Sequence, residues 1–275
     1  KVYNGQEQSV SGFTGAPEGA DFSAIQVGAK GTDAGEYPAV FAEGTIGTVD
    51  KNEKYIVTGA TGGKLEITPV TEEVVVTITG NHDSKTYDGT EHKVTGYVTT
   101  DISNKLYKEG DFSFSGTAEA KRTEAGTTMM GLKAEDFANK SANFSNVTFE
   151  VTDGYMEITP AGDAVVVTIA GHHDSAVYDG EEHKVTGYKV TAISNELYAE
   201  SDFVFSGTAE AKRTEAGTTY MGLTEEHFKN KNENFSKVIF NVTDGYMEIT
   251  PVTEEVVVTI TGNHDSKTYD GTEHK

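Results

Sequence analysis

Two short phrases set histidine beside aspartate, "GNHDS" at Gly80–Ser84 and "GHHDS" at Gly171–Ser175. Histidine and carboxylate together suggest zinc, but neighbours on a strand point to opposite faces, so His172 and His173 cannot easily share one ion. No further histidine cluster completes a tetrahedron, and no metal site is assigned. Calcium between domains is a second reading, since the acidic linkers "VTEE" and "AGDA" lie near "DGY" turns; no Asp-x-Asp-x-Asp ladder accompanies them. No other cofactor is implied. Lys121 and Lys212, Asn143 and Asn234, and Glu119 and Glu210 recur at matching positions, the residue types of a Lys–Asn isopeptide crosslink with a carboxyl helper. That reaction needs a desolvated, neutral lysine. Alternation from Phe112 and Phe114 places Glu119 and Lys121 on the solvent face, so a surface ion pair is the better reading. There is no phosphate loop, no nucleophile elbow and no His-Glu-x-x-His, and an enzyme is rejected.

The tyrosines come next. "YDG" stands at Tyr87, Asp88, Gly89 and again at Tyr178, Asp179, Gly180. Asp-Gly makes a turn and the tyrosine packs over the adjoining strand, so the motif reads as structure. Tyr97, Tyr107, Tyr188 and Tyr198 lie in open-looking segments and are the repeated candidates for contact with a ligand.

The elements that would hold these residues come from a repeat. Tyr87, Tyr178 and Tyr269 are 91 residues apart, and 65 of 91 positions agree between Val70–Pro160 and Ala161–Pro251. The organisation is therefore 1–69, a shorter and diverged repeat truncated at its N-terminus; 70–160, repeat A; 161–251, repeat B; and 252–275, the start of another repeat A. All 24 residues of Val252–Lys275 match Val70–Lys93, which points to a window on a longer tandem array. No signal peptide or sorting tail is present, as expected of a piece cut from something longer.

Within a repeat, "EVVVTITG" and "HKVTGYVTT" are β-branched strands, and "DFSFSGTAEAK" alternates as one strand. "KAEDFANK" is expected to make one or two helical turns. "NVTFEV" and "YMEITP" flank "TDG" (Thr152 to Gly154), a hairpin signal with Asp-Gly supplying positive φ. The fold expected is all-β: tandem small Ig-like β-sandwiches in a rod, with at most a short helix per repeat. A β-grasp unit is the alternative. Short links stiffened by proline should limit swing between repeats.

The chain has 275 residues, a net charge of −22 and no cysteine or tryptophan. So acidic a surface repels phosphate backbones and anionic lipid, which argues against nucleic acid and membrane surfaces. Without cysteine there is no disulfide or thiolate metal site. The apolar runs are too short to span a bilayer as helices.

"YDGTEHKVTGY", "FSFSGTAEAKRTEAGTT" and the closing "NFSNVTFEVTDGYMEITP" resemble the YDG/MBG-type repeats of bacterial cell-surface adhesin-like proteins. The likeness covers residues 70 to 251, the last 24 residues as a truncated copy, and residues 1 to 69 more loosely, where "VYNGQEQ" replaces "YDGTEHK". It implies an extracellular β-rich module on the bacterial surface, secreted and wall-anchored outside this segment, and brings no catalytic residue. Two functions follow. The repeats are a stalk that projects a distal binding region, or multivalent adhesive modules for a host glycan or surface protein. The lack of tryptophan, the usual sugar-stacking ring, favours the stalk. Residues 1–69 lack the strand that opens the other repeats, while the last segment is such a strand without a domain. It is expected to pack on the preceding domain or to complete the first domain of a neighbouring molecule by strand addition. Residues 256–260 without a sheet partner would count against both.

Overall fold

The computed structural model describes residues 1–273; His274 and Lys275, at the end of the last motif copy, lie outside the described residues. The chain is all-β and falls into two compact units, Lys1–Ala161 and Gly162–Lys275.

The first unit holds two repeats. In the first, β1 (Gln8–Ser11), β2 (Val27–Gly31), β3 (Gly35–Phe41) and β4 (Gly63–Ile67) form one antiparallel sheet in that order. Val27, Ala29, Ala39, Leu65 and Ile67 are its buried apolar residues. The second repeat has ten strands: β5 (Val74–Gly80), β6 (His82–Thr86), β7 (His92–Thr95), β8 (Tyr97–Ile102), β9 (Phe112–Phe114), β10 (Glu119–Arg122), β11 (Gly126–Met129), β12 (Phe137–Asn139), β13 (Val147–Thr152) and β14 (Tyr155–Thr159). One sheet has the order β13-β5-β8 and another β11-β14-β6, with two-stranded pairs β7–β10 and β9–β12.

The β5 strand shows why this sequence folds so. Its residues "VVVTITG" are mostly β-branched, and period-two alternation sends Val74, Val76 and Ile78 inward, where all three are fully buried. They meet Phe112, Phe137 and Phe144 in the repeat's main core. Each such side chain contributes about 1.5–3 kcal/mol by leaving water.

The "TDG" phrase does not close a hairpin. β13 runs parallel to β5, while β14 runs parallel to β6, so the chain crosses from one sheet to another at Asp153–Gly154. The β5–β6 arm makes the same crossing at Gly80–Asn81, alongside it. A Cβ on Gly80 would run into the Gly154 backbone nitrogen, and one on Gly154 into the Asn81 carbonyl. Gly154 is therefore required for close approach and not for positive φ. The neighbouring Asp153 ties the crossing to the loop after β11, where its carboxylate accepts the backbone N–H groups of Gly131 and Leu132, both at 2.9 Å.

One further expectation is corrected, and another is met in its shortest form. "DFSFSGTAEAK" breaks into β9 and β10, which pair with different partners, because the stretch 115–118 leaves the strand. "KAEDFANK" makes one 3-10 turn, Ala134–Asp136, and then enters β12; a second such turn is Glu109–Asp111. Among the described residues there is no α-helix, so nothing plays the part of the helix that a β-grasp sheet wraps.

The second unit repeats this plan. Its strands are β15 (Val165–Gly171), β16 (His173–Val177), β17 (His183–Thr186), β18 (Tyr188–Ile193), β19 (Phe203–Phe205), β20 (Glu210–Arg213), β21 (Gly217–Tyr220), β22 (Phe228–Asn230), β23 (Val238–Thr243) and β24 (Tyr246–Thr250). They pair as their counterparts do, and Gly171 and Gly245 make the same close crossing. Residues 252–273 carry no strand, and 256–260 have no sheet partner in the chain. The expectation that this segment packs on the preceding domain is overturned: Val256, Val257, Val258 and Ile260 are 72–87% exposed.

Candidate functional site

The first repeat opens a groove of about 800 Å³, lined about equally by polar and apolar groups. Its walls are the stretches 10–17 and 55–61, and Phe22, Val27, Ala39 and Phe41 line it between them. Correspondence with the second repeat explains the opening. Ile56 stands thirteen residues before Pro69, as Val147 stands thirteen before Pro160, so 56–61 corresponds to β13. Phe13 follows Gly12 as Tyr97 follows Gly96, so the other wall corresponds to the start of β8. In the second repeat β5 lies between those two strands. In the first, no described strand does.

The groove is sparing in ionisable groups. Lys64 is the one titratable side chain lining it besides Tyr55. Its ammonium pairs with Glu36, whose hydrogen bond and charge raise the lysine pKa. One wall offers unused backbone, since Thr58–Thr61 have no backbone hydrogen-bond partner among the described residues. Free backbone beside apolar side chains is what an added strand requires.

The tyrosines divide. Tyr107 and Tyr198 are 1% and 3% exposed, so the open setting expected for them is corrected. The Tyr107 hydroxyl donates toward the Asp111 carbonyl (3.0 Å) and Asn139 Oδ1 (3.1 Å), and burial pushes its pKa up to about 12. Tyr198 repeats this with Asp202 and Asn230. Tyr97 and Tyr188 are half-buried. Tyr97 meets Phe114 and Phe137 at 5.0 Å, and Tyr188 meets Phe205 and Phe228 at 5.0 and 5.1 Å. Tyr97 also borders a shallow pocket with Thr99 and Glu109.

The "YDG" phrases are bends in the chain. Gly89 and Gly180 have φ of 78° and 85°, a region that favours glycine. Asp88 Oδ1 accepts the Thr90 N–H (2.9 Å) and hydroxyl (2.7 Å), and His92 Nε2 lies 3.0 Å from the carboxylate. Tyr87 packs beside Ala120, Met156 and Ile158. Asp179 accepts the Glu181 N–H, with His183 at 3.1 Å. Sequence reasoning missed these histidine partners, although His at the fourth place after Asp was a visible signal.

Three other histidines, His82, His172 and His173, have structural neighbours. His82 stacks on Tyr155 and His173 on Tyr246, both at 5.2 Å. His172 Nδ1 lies 2.9 Å from the Thr186 carbonyl, the place where Asn81 donates to Thr95. No group of three metal-ligating side chains occurs among the described residues.

The crosslink residues are not brought together. Lys121 Nζ pairs with Glu119 at 3.1 Å on the surface, and that hydrogen bond raises the lysine pKa, opposite to what the reaction needs. Asn143 instead reaches the first repeat. Its amide donates to Asp33 (3.0 Å) and its carbonyl accepts the Ala34 N–H (2.6 Å). Beside it, Tyr3 meets Phe144 edge-on at 5.6 Å, and Leu106 lies against Gly5.

No protein-family model matches the chain. Comparison with curated proteins and with solved structures likewise found no match.

Proposed function

We propose that this chain is a run of non-enzymatic spacer repeats from a bacterial surface adhesin, each 91-residue repeat a small Ig-like sandwich that helps carry a distal binding region away from the cell. The resemblance to YDG/MBG-type repeats supplies the extracellular, wall-anchored setting. The observation that carries the reading is the joint between the first and second repeats. Asn143 binds both Asp33 and Ala34 across it, and Tyr3 covers Phe144. Such contacts hold two repeats at a fixed angle, which a spacer needs and a string of independent binders does not.

The second reading, repeats that bind a host glycan or protein, rests on Tyr97 and Tyr188, half-buried rings at matching positions. Binding of the full chain to a glycan and mucin array, with a denatured control, separates the two. A spacer gives no saturable binding. Saturable binding that falls at least tenfold in the Tyr97→Ala, Tyr188→Ala double variant would make the repeats the adhesive element.

A further inference from the structure

We propose that Asn4 is a self-modification site: its side-chain amide closes onto the Gly5 backbone nitrogen, and the aged chain carries aspartate or isoaspartate there. This stands apart from the choice between spacer and adhesive module, since it concerns the chemistry of the chain and not what it binds.

Asn4-Gly5 is the one Asn-Gly step in the 275 residues, and it fills the place of Asp88-Gly89 and Asp179-Gly180. Asn4 is exposed beside a bend, and Gly5 has φ of 75°. Neither residue makes a backbone–backbone hydrogen bond among the described residues. The Gly5 N–H therefore has no such bond to break, and the bend is free to turn about the Asn4 backbone until the two groups meet. Glycine has no side chain to screen its nitrogen. Asn4 Oδ1 accepts the Gln6 N–H at 3.0 Å, which draws electrons from the amide carbon.

The reaction needs only water as a co-reactant. The Gly5 nitrogen bonds to Asn4 Cγ and gives up its proton, the Cγ–Nδ2 bond breaks, and ammonia leaves a five-membered imide. Water then adds to one imide carbonyl or the other. Breaking the new C–N bond gives aspartate, and breaking the original one reroutes the main chain through the side chain as isoaspartate. The sister places resist this chemistry, because a carboxylate offers no ammonia and closes the ring only when protonated. Thr90 and His92 hold Asp88 ionised, and the Glu181 N–H and His183 do so for Asp179. In the first repeat Gln8 replaces that histidine and turns its amide to the Val2 carbonyl at 2.8 Å.

The consequence falls on the joint between the first two repeats. The Tyr3 N–H is held by the Thr68 carbonyl at 2.9 Å and β1 begins at Gln8, so the bend is tethered at both ends. A Cβ on Gly5 would stand 2.9 Å from Leu106 Cδ2. Isoaspartate lengthens the main chain by one carbon between that contact and Tyr3, the ring that covers Phe144. The added carbon displaces the bend from Leu106 and loosens the joint.

Peptide mapping of the full chain, kept folded at body temperature and mildly alkaline pH, tests the site. The peptide holding Asn4 is expected to gain one dalton at least tenfold faster than any other asparagine peptide. A protein isoaspartyl methyltransferase should label it, and should not label that peptide in Asn4→Gln. Hydrogen exchange at the Ala34 amide, which donates to Asn143 across the joint, reads the consequence. Protection is expected in the fresh chain and in Asn4→Asp, and its loss in the isoaspartate fraction. Another asparagine reacting first, or Asn4 intact in the folded chain while it reacts in urea, would overturn the site. Equal Ala34 protection in the isoaspartate fraction would overturn its effect on the joint.

Discussion

Asp88 shows how much one residue of a repeated motif can differ from its copy. Its carboxyl is drawn down from 3.8 to about 2, first by the Thr90 hydroxyl, then by the Thr90 N–H and His92. Asp179 is also lowered, but Glu181 stands where Thr90 does and supplies only its N–H. A depressed carboxyl stabilises the fold above its unfolded value and loses that contribution as pH falls through the folded one. The Asp88 turn should therefore hold above pH 3.8 and loosen as pH falls toward 2. Carboxyl NMR titration is expected to find Asp88 below Asp179, and Thr90→Val to raise Asp88. A midpoint near 3.8 for Asp88 would contradict the hydrogen bonding described. The turn itself was legible, because Asp-Gly has one strong local preference. The histidine's spacing was visible too, but its contact with Asp88 depends on where the next strand returns.

Among the elements, β5 offers a control that few proteins contain. Ile78 and Ile260 sit at the same place in identical heptapeptides, one in a core and one in water. Ile78→Ala should cost about 2–5 kcal/mol, the range for emptying a buried aliphatic site. Ile260→Ala should change stability by no more than about 0.5 kcal/mol at dilutions where the chain is monomeric. Denaturant unfolding of both variants checks this, and equal losses would contradict the burial. Strand identity was readable from β-branched runs, and the repeat from its 91-residue period. Sheet membership was not. "TDG" between two strands is a hairpin in most settings, and only the facing Gly80 and Gly154 show that both arms cross between sheets here. The break after Phe114 was hidden for a related reason, since "SFSGTAEAK" keeps its alternation through residues that leave the strand.

At the scale of the whole molecule, near-identical repeats distribute function or serve as length. Tyrosines that looked open from sequence were poor guides, because Tyr107 and Tyr198 are enclosed by phenylalanines and hydrogen-bonded to asparagines thirty-two residues away. The groove of the first repeat needed its walls to be seen in place. Spacer repeats should resist force as separate units of equal length. Single-molecule pulling tests this most directly. Two unfolding steps of matching extension, each roughly 300 Å for 91 residues released as extended chain, are expected from residues 70–160 and 161–251. One cooperative step releasing both repeats together, or extension without resolved steps, would contradict the spacer reading.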